Sequence, residues 1–271
     1  MDSAWTMYLG NALTLLPDLA PASIGCVVTS PPYAMQRKDF YASIEEADYP
    51  AWTVAWLDAL RPALAPGASV LINIREHIRD GVMADYVHRT RLAVREAGWF
   101  EHEELVWCKP DAPPLGPNAF PRRAWERVLW FSQSRRPYSD PKANGTPSKL
   151  IGMRPANPGI ERVGGHSDGY RDGIARCTNV ITIPVGGNTS RLRSPGHTAA
   201  FPPALAAWLI RLACPPGATV LDPFAGSGSS GLAAMGEGRS FVGIELDAPT
   251  FWQASERLHA YVVAKETPLA S

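Results

Sequence analysis

Apolar runs of strand length alternate along the chain with apolar residues at helical spacing, which predicts an α/β fold. The predicted strands are residues 5–9, 24–29, 68–74, 103–108, 127–132, 218–222 and 240–246. Apolar residues three and four positions apart predict helices at 12–19, 49–65, 85–97, 230–238 and 248–263. Strands separated by helices favour a parallel sheet, whereas 103–108 and 127–132 are close enough in sequence to pair antiparallel.

No such period continues through residues 134–195, where Gly, Pro, Asn, Ser and Arg dominate. A segment of this length is too long for an ordinary connection, so we interpret it as a functional insert or a partly disordered stretch. The wider interval 111–193 carries thirteen Lys and Arg against six Asp and Glu, although the whole chain has zero net charge. This local excess of seven positive charges is typical of a DNA-facing surface, with a solvated basic patch as the alternative.

Length and composition exclude several classes of protein. With 271 residues, 45% of them hydrophobic, the chain can bury a core in one large domain with an insert. It shows neither a signal-peptide pattern nor an apolar run of the ~20 residues that a membrane helix needs, so we expect a cytoplasmic protein. None of the four cysteines forms a C-x-x-C pair, which predicts free thiols and no metal site.

A glycine-rich turn, Asp222-Pro223-Phe224-Ala225-Gly226-Ser227-Gly228, follows the predicted strand at 218–222. Glycines there let the backbone approach a ligand closely and expose helix N–H groups. Asp222 can accept hydrogen bonds from a ligand amine, and Glu245, which ends the next strand, can bind both hydroxyls of a ribose. These residues predict a nucleoside cofactor. Together with Gly231 the turn also satisfies G-x-G-x-x-G, so a nicotinamide-dependent dehydrogenase is an alternative on this motif alone.

A second motif, Ser30-Pro31-Pro32-Tyr33, follows the apolar strand at 24–29. Two successive prolines cannot donate ladder hydrogen bonds and hold the chain extended, which leaves backbone carbonyls free to face a pocket. The Ser30 hydroxyl and the Pro31 carbonyl could accept both N–H groups of an exocyclic amine. The Tyr33 ring could stack on a flipped base, an interaction worth ~1–3 kcal/mol. A turn that merely closes the strand is the alternative interpretation.

Together the two motifs resemble those of amino-group DNA methyltransferases. The segment from Thr29 to Tyr33 is similar to the catalytic motif of that family, and the segment from Leu221 to Gly228 is similar to its cofactor motif, D-P-F-x-G-S-G. The catalytic motif comes first along the chain, as in the β-group, whose sheet is circularly permuted. The resemblance implies a Rossmann-like S-adenosylmethionine-dependent methyltransferase sheet, mostly parallel with an antiparallel edge hairpin, plus a small irregular target-recognition insert.

The resemblance also implies how the chain is divided. Residues 1–109 and 196–271 would form the methyltransferase domain, with 126–133 as the last strand of its sheet, and 110–195 would form the target-recognition region. The two C-terminal strands need a third strand beside them, which residues 5–9 can supply. The strand at 24–29 would then lie beside 218–222, so that both motifs share the carboxyl edge of the sheet, where ligands bind in such folds.

Roles follow from the resemblance residue by residue. The catalytic residues would be Ser30, Pro31, Pro32 and Tyr33. The cofactor-binding residues would be Asp222, Pro223, Phe224, Gly226, Ser227, Gly228, Glu245, Asn11, His197 and Phe201. Among them, Asp222 would hold the methionine amino group, Glu245 would bind the ribose, and Asn11, where the family usually has Asp, would contact the adenine. Candidate DNA contacts are Arg37, Lys38, Arg122, Arg123, Arg135, Arg136 and Arg154.

Ser rather than Asp at position 30, and the segment 34–41, resemble the cytosine-N4 subgroup. We therefore expect a site-specific enzyme that transfers a methyl group from S-adenosylmethionine to cytosine N4 in double-stranded DNA. The chain lacks the Pro-Cys dipeptide of cytosine-C5 enzymes, which agrees with direct transfer by positioning and no covalent intermediate.

Several alternatives stay open at the level of sequence. Adenine-N6 methylation is the nearest, followed by RNA or protein methylation, a dehydrogenase, and a DNA-binding module without catalysis. A cognate restriction endonuclease that acts separately, and the choice between monomer and homodimer, cannot be read from the residues.

Overall fold

The structure is a computed structural model, and it describes residues 4–35, 44–112, 120–148, 173–186 and 201–266. Its strands are β1 (Trp5–Leu9), β2 (Ile24–Thr29), β3 (Leu64–Ile74), β4 (Ile78–Arg79), β5 (Val82–Met83), β6 (Phe100–Cys108), β7 (Trp125–Ser132), β8 (Thr146–Pro147), β9 (Ile174–Ala175), β10 (Val180–Thr182), β11 (Thr219–Asp222) and β12 (Ser240–Glu245). Its α-helices are α1 (Ala12–Leu15), α2 (Tyr49–Leu60), α3 (Tyr86–Glu96), α4 (Pro203–Ala213), α5 (Ser229–Gly236) and α6 (Ala248–Glu266).

Within the described residues, eight strands form one sheet in the order β1-β12-β11-β2-β3-β7-β6-β10. The strands pair in parallel except for β7, which is antiparallel to both of its neighbours. The expected order is confirmed, because β1 lies beside β12 and β2 lies beside β11. The predicted antiparallel pair β6–β7 forms, but it lies one strand inside the edge, because β10 pairs with β6.

This strand order brings several chain segments to one end of the sheet. The strands β12, β11, β2 and β3 all end there, and we call the residues that follow them the carboxyl rim. Because β7 runs the opposite way, it begins at this rim, where Arg127 pairs with Ile74. The strand β6 ends there in turn, since Cys108 pairs with Trp125.

Both faces of the sheet are covered by helices, as a parallel sheet requires. Side chains of β2 alternate between two cores, because successive residues of a strand point to opposite faces. Val27 lies in the core that includes Trp56 and Leu57 of α2. Cys26 and Val28 lie in the core to which α4, α5 and α6 contribute. The carboxyl end of β2 is thus held rigidly from both sides.

Several predicted boundaries shift for local reasons. The helix predicted over 49–65 ends at Leu60 and continues as a 3-10 turn, Arg61–Ala63, because Pro62 cannot extend an α-helix. The helix predicted over 12–19 is likewise cut to α1 and a 3-10 turn, Leu16–Asp18, which contains Pro17. The strand β3 is longer than the predicted 68–74, because it begins at Leu64.

Helix α4 was not predicted from the sequence. Leu205, Leu209 and Leu212 recur at helical spacing and are buried in the core beneath the sheet. The signal was therefore present, directly after the segment in which the apolar period is lost. Asp140 and Asn144 pack on this helix, since the Asp140 N–H donates to the Leu212 carbonyl (2.7 Å) and the Asn144 amide to the Trp208 carbonyl (2.8 Å).

Described parts of the interval 110–195 therefore belong to the sheet and its covering layer, since β7 and β10 are strands of the sheet and 140–144 contacts α4. Its role in target recognition stays a prediction. The four cysteines are free, with Cys26 and Cys214 buried and Cys108 and Cys177 half-buried. Among the helices of the described ranges, none combines the length and the apolar character that a membrane crossing requires.

Candidate active site

The two sequence motifs meet at the carboxyl rim, and Asp222 joins them. Its Oδ1 accepts hydrogen bonds from the Thr29 hydroxyl (2.6 Å) and from the Phe224 N–H (3.0 Å). Its Oδ2 accepts one from the Ser230 hydroxyl at the start of α5 (2.6 Å). The side chain that ends β11 therefore fixes both the loop after β2 and the glycine turn. The expectation that the two loops share one end of the sheet is confirmed.

Asp222 is almost completely buried, with 2% of its surface exposed. Burial raises the pKa of its carboxyl group from 3.8 to about 6, and the hydrogen bonds from Ser230, Thr29 and Phe224 oppose that shift. These three donors are all neutral. The negative charge of Asp222 is therefore hydrogen-bonded but not cancelled by them, and it suits a cationic ligand group.

A second buried carboxylate, Glu245, holds the glycine turn from β12. Its Oε2 accepts from the Gly226 N–H (2.8 Å) and its Oε1 from the Asp247 N–H (2.9 Å). The Glu245 carbonyl accepts from the Gly10 N–H at 2.9 Å, which brings Asn11 to the same end of the sheet. Asn11 is exposed and caps α1, because its side chain accepts from the Leu13 N–H at 2.9 Å.

The glycine turn depends on a backbone conformation that other residues rarely adopt. Gly226 and Gly228 have φ angles of 51° and 74°, in the left-handed region. Arg257 of α6 supports the turn from outside, since its Nη1 donates to the Ser227 carbonyl at 2.9 Å. Pro223 is buried, and Phe224 packs against Trp52 and Trp56 of α2 with ring centroids 5.3 and 5.5 Å apart.

These residues fit a nucleoside cofactor that carries an amino group. A carboxylate has about four lone-pair positions, and Asp222 receives three hydrogen bonds from its neighbours. An amine can therefore bind at Asp222. The Glu245 carboxylate ends the next strand and is placed for a ribose diol, across a turn whose glycines allow close approach. The roles taken from the family resemblance are compatible with this geometry.

The Ser30-Pro31-Pro32-Tyr33 motif lies beside this turn. Ser30 and Tyr33 are half-buried, and the Ser30 hydroxyl donates to the Tyr33 hydroxyl across 3.5 Å. The Tyr33 hydroxyl in turn donates to Oε2 of Glu126, the second residue of β7, at 3.1 Å. Burial raises the pKa of Tyr33 well above its ordinary value, and the Glu126 charge raises it further. The phenol therefore keeps its proton and acts as a donor.

Two cations lie against Glu126. The Lys109 ammonium donates to Oε1, and Arg75 Nε is 3.6 Å from the same oxygen. The Lys109 ammonium also lies 4.3 Å from the centroid of the Trp107 ring. Burial lowers the pKa of Lys109, while the nearby Glu126 charge opposes that shift. This part of the rim thus holds a buried ion pair, whereas the three donors to Asp222 are neutral.

Glu76 is another buried carboxylate at the rim, and like Glu126 it has cations as partners. It pairs with Arg127, and Arg123 Nη2 is 3.7 Å from its Oε2. Arg122 is exposed and donates to the Ala112 carbonyl at 3.3 Å. Of the predicted DNA contacts, Arg122 and Arg123 therefore lie at the carboxyl rim, just before β7 begins.

The structure does not bring Arg135 and Arg136 to this site. They follow the carboxyl end of β7, where Ser132 pairs with Ser69 in the middle of β3, so they lie toward the end of the sheet opposite the carboxyl rim. There the Arg135 guanidinium lies 4.7 Å from the centroid of the Phe100 ring. Their assignment as DNA contacts stays a prediction, at the end of the sheet away from the catalytic motif.

Phe201 is buried in the core that contains α4, with 7% of its surface exposed. Its role as a cofactor-binding residue stays a prediction. Arg37, Lys38, Arg154 and His197 lie outside the described residues.

Four residues of the site were not predicted from the sequence: Thr29, Ser230, Lys109 and Glu126. Thr29 stands out in the sequence only as the first residue of the catalytic motif. For Glu126 the sequence offers no local signal, because it is 93 residues from Tyr33 along the chain.

Comparison with known proteins decides between the alternatives that the motifs left open. A family model described as DNA methylase, of the N6 and N4 type, matches residues 24–255. The chain belongs to the DNA methylase family. The match spans both motifs and the intervening residues, which decides against a dehydrogenase and against a DNA-binding module without catalysis. The chain is a methyltransferase of this S-adenosylmethionine-dependent family, and the Asp222–Glu245 region fits that cofactor.

Similar proteins include methyltransferases of restriction–modification systems. The Type II methyltransferase M.PvuII of Proteus hauseri is 28% identical, over 89% of this chain and 80% of the relative. The Type II methyltransferase M.XycI of Xanthomonas campestris pv. cyanopsidis is 27% identical, over 93% of this chain and 87% of the relative.

Solved structures share the fold over nearly the whole chain. The PvuII DNA methyltransferase, described as cytosine-N4-specific, superposes with a TM-score of 0.70 at 24% identity, covering 95% of this chain and 93% of the other. A putative DNA modification methylase from Thermus thermophilus, complexed with S-adenosyl-L-methionine, superposes with a TM-score of 0.62 at 24% identity. The match covers 94% of this chain and 93% of the other.

Proposed function

We propose that this methyltransferase is site-specific and methylates the exocyclic N4 amine of cytosine in double-stranded DNA. Ser at position 30, rather than Asp, supports cytosine over adenine. The specificity described for the similar PvuII enzyme, cytosine N4, points the same way. Methylation of adenine N6 is the alternative, since the matched family includes both reactions.

The observation that carries the proposal is the bond between the Thr29 hydroxyl and Asp222 Oδ1, 2.6 Å long. Thr29 immediately precedes Ser30, and Asp222 opens the turn that fits the cofactor. An amine held by Ser30 is therefore next to the place where a methyl donor binds. When bound, S-adenosylmethionine supplies an electrophilic methyl group there.

The contribution of the chain is mainly positioning. The Ser30 hydroxyl oxygen and the Pro31 carbonyl each accept one N–H of the target amine, which orients its nitrogen. The half-buried Tyr33 ring offers a stacking face for a base that has left the duplex, which is how base-modifying enzymes reach their target. Holding two reactants in register can by itself lower a barrier by ~7–11 kcal/mol.

Basic side chains at the same rim supply the DNA surface. Arg122 is exposed, while Arg75 and Arg123 are half-buried beside Glu126 and Glu76 respectively. Contacts from such residues to phosphates fix the register of a duplex without reading its sequence. The surplus of cations around Glu76 and Glu126 leaves positive charge available for this purpose.

The test is the identity of the methylated base. PCR-amplified DNA, which carries no methylated bases, is incubated with the protein and S-adenosylmethionine bearing a deuterated methyl group, then digested to nucleosides and analysed by mass spectrometry. We expect deuterated N4-methylcytosine. Deuterated N6-methyladenine without N4-methylcytosine would overturn the cytosine assignment, and absence of both would overturn the proposed function.

Ser30→Ala in the same assay should lower kcat by about 10²-fold, in the range found when one positioned group that stabilises a transition state is removed. Affinity for S-adenosylmethionine should stay within about twofold, since Ser30 contacts neither Asp222 nor Glu245 in the described network. Ser23→Ala is the matched control. Ser23 precedes the same strand at its other end, is exposed, and donates only to the Ala20 carbonyl.

A further inference from the structure

Three groups at the rim form a chain of hydrogen bonds with a defined direction. Ser30 donates to Tyr33 across 3.5 Å, and Tyr33 donates to Glu126 at 3.1 Å. Each hydroxyl has one proton to donate and lone pairs with which to accept. If both protons point toward Glu126, the lone pairs of Ser30 are left for the target amine.

The direction is set by the carboxylate at the end of the chain. An ionised carboxylate only accepts hydrogen bonds. Lys109, a side chain with three donors and no acceptor, occupies Oε1 of Glu126, and Arg75 approaches the same oxygen. Glu126 therefore presents Oε2 to Tyr33, so the phenol must donate to it and can only accept from Ser30.

We propose that Glu126 is a positioning residue that acts through the Tyr33 hydroxyl to keep the Ser30 oxygen available as an acceptor for the exocyclic amine. The inference rests on the proposed function, since it concerns how Ser30 holds its substrate. Lys109 has a supporting role, because it fixes which oxygen of Glu126 faces Tyr33.

This arrangement predicts that Glu126→Gln is more harmful than removal of the Tyr33 hydroxyl. Lys109 would draw the amide oxygen toward itself, which turns the amide NH2 toward Tyr33. The phenol would then accept from Gln and donate to Ser30, and the Ser30 proton would point at the target amine. Tyr33→Phe breaks the chain without reversing it, so Ser30 can still rotate to accept.

The experiment measures single-turnover methylation of PCR-amplified DNA at saturating S-adenosylmethionine. We expect Tyr33→Phe to lower the rate by about tenfold, the order of one net hydrogen bond, with the KM for DNA within about twofold because the ring remains. Glu126→Gln should be slower still. The double variant Tyr33→Phe/Glu126→Gln should regain the rate of Tyr33→Phe alone, since no phenol is left to transmit the reversal.

A higher methylation rate in the double variant than in Glu126→Gln would distinguish positioning from structural support. If Glu126 and Tyr33 only supported the structure, the rate losses of the two substitutions would add. A double variant as slow as Glu126→Gln, or slower, would overturn the proposal. If Glu126→Gln does not fold, Ser30→Ala/Tyr33→Phe provides the test instead. Its rate should equal that of Ser30→Ala, and a further tenfold loss would contradict a role exercised through Ser30.

Two controls are matched in chemistry. Tyr49→Phe removes a buried hydroxyl that has no hydrogen-bond partner among the described residues, and it should leave the rate unchanged. Glu76→Gln disturbs a comparable buried ion pair with Arg127 but does not contact Tyr33. Its thermal stability should fall as in Glu126→Gln, whereas adding Tyr33→Phe should not restore any of its rate.

The wild-type product separates this inference from the proposed function. If the wild type forms N6-methyladenine, the cytosine assignment fails, but the rate pattern still decides the role of Glu126, because either exocyclic amine donates an N–H to Ser30. A wild type that methylates neither base overturns both.

Discussion

The two halves of the carboxyl rim solve the problem of burying carboxylates in opposite ways. On the cofactor half, Asp222 and Glu245 are held by backbone N–H groups and hydroxyls. On the other half, Glu126 and Glu76 are held by Lys and Arg side chains. The four side chains are similarly buried, with 2% to 7% of their surface exposed.

The difference in partners determines what each half can attract. The neutral donors to Asp222 stabilise its carboxylate but leave its charge, so the cofactor half favours an amine. Cations neutralise the carboxylates of the other half and exceed them in number, so that half favours phosphates. One rim can therefore bind a cationic methyl donor and an anionic polymer side by side without attracting each to the other's place.

The largest expected effect comes from a substitution in the cofactor half. Glu245→Gln should weaken S-adenosylmethionine binding by about 10²-fold, because an amide has one accepting oxygen where the carboxylate has two, so Gln cannot hold both backbone N–H groups and a ribose hydroxyl, and a hydrogen bond to a charged acceptor is worth ~1.5–3 kcal/mol. Titration calorimetry measures it. Glu237→Gln, a half-buried carboxylate paired with Arg211, is the control and should change affinity by less than twofold. Equal affinities of Glu245→Gln and Glu237→Gln for S-adenosylmethionine would mean that Glu245 does not contribute to cofactor binding.

A smaller effect follows from the charge of Asp222. Its pKa of about 6 means that the carboxyl group is mostly protonated at pH 5 and mostly ionised at pH 7. The ionised form binds a ligand ammonium better, so affinity for S-adenosylmethionine should be about tenfold higher at pH 7 than at pH 5. Calorimetry in buffers across this range measures it. Asp222→Asn should flatten the profile, and a flat wild-type profile would argue against an ammonium at this position.

The basic half is tested by comparing two pairs of arginines. Arg122→Gln/Arg123→Gln at the carboxyl rim should weaken DNA binding about fivefold. The slope of the logarithm of the binding constant against the logarithm of salt concentration should fall in magnitude by ~1 for each phosphate that is no longer bound. Arg135→Gln/Arg136→Gln, the same charge change at the opposite end of the sheet, should alter neither. Fluorescence anisotropy at several salt concentrations measures both. Equal losses for the two pairs would mean that DNA contacts extend well beyond the rim.

The smallest effect concerns the outermost residue of the cofactor half. Asn11→Ala should lower the free energy of unfolding by ~1 kcal/mol, because it removes the cap of α1, whereas Asn11→Asp should preserve it. Denaturant unfolding measures this difference. Affinity for S-adenosylmethionine, measured in parallel, should change by less than about threefold for Asn11→Asp. A larger change would show that the residue acts mainly on the ligand.

The cofactor half was the more predictable of the two from sequence. The turn from Asp222 to Gly228 needs residue types that few other structures demand, because two of its glycines adopt positive φ angles. Strand order followed from the same motif, since a nucleoside-binding sheet lacking a third strand at its C-terminal end can be completed by β1.

The basic half was harder, because its contacts join residues that have no local pattern in common. Glu126 meets Tyr33 from 93 residues away, and Glu76 meets Arg127 from 51 residues away. Charge counting located an excess of arginine but could not tell which end of β7 each residue would occupy. The direction of that strand separates Arg123 from Arg135, and direction becomes visible only when β3 and β6 are in place.

The bond between Thr29 and Asp222 closes a loop of 193 positions, and this separation has a consequence for biosynthesis. The ribosome adds ~5–20 residues per second. Synthesis of β11, which carries Asp222, therefore follows synthesis of the catalytic motif by on the order of 10–40 s. The active site can therefore be completed only late in translation. A polypeptide interrupted before β11 would carry Arg122 and Arg123 but would lack Asp222 and the glycine turn that fits the cofactor.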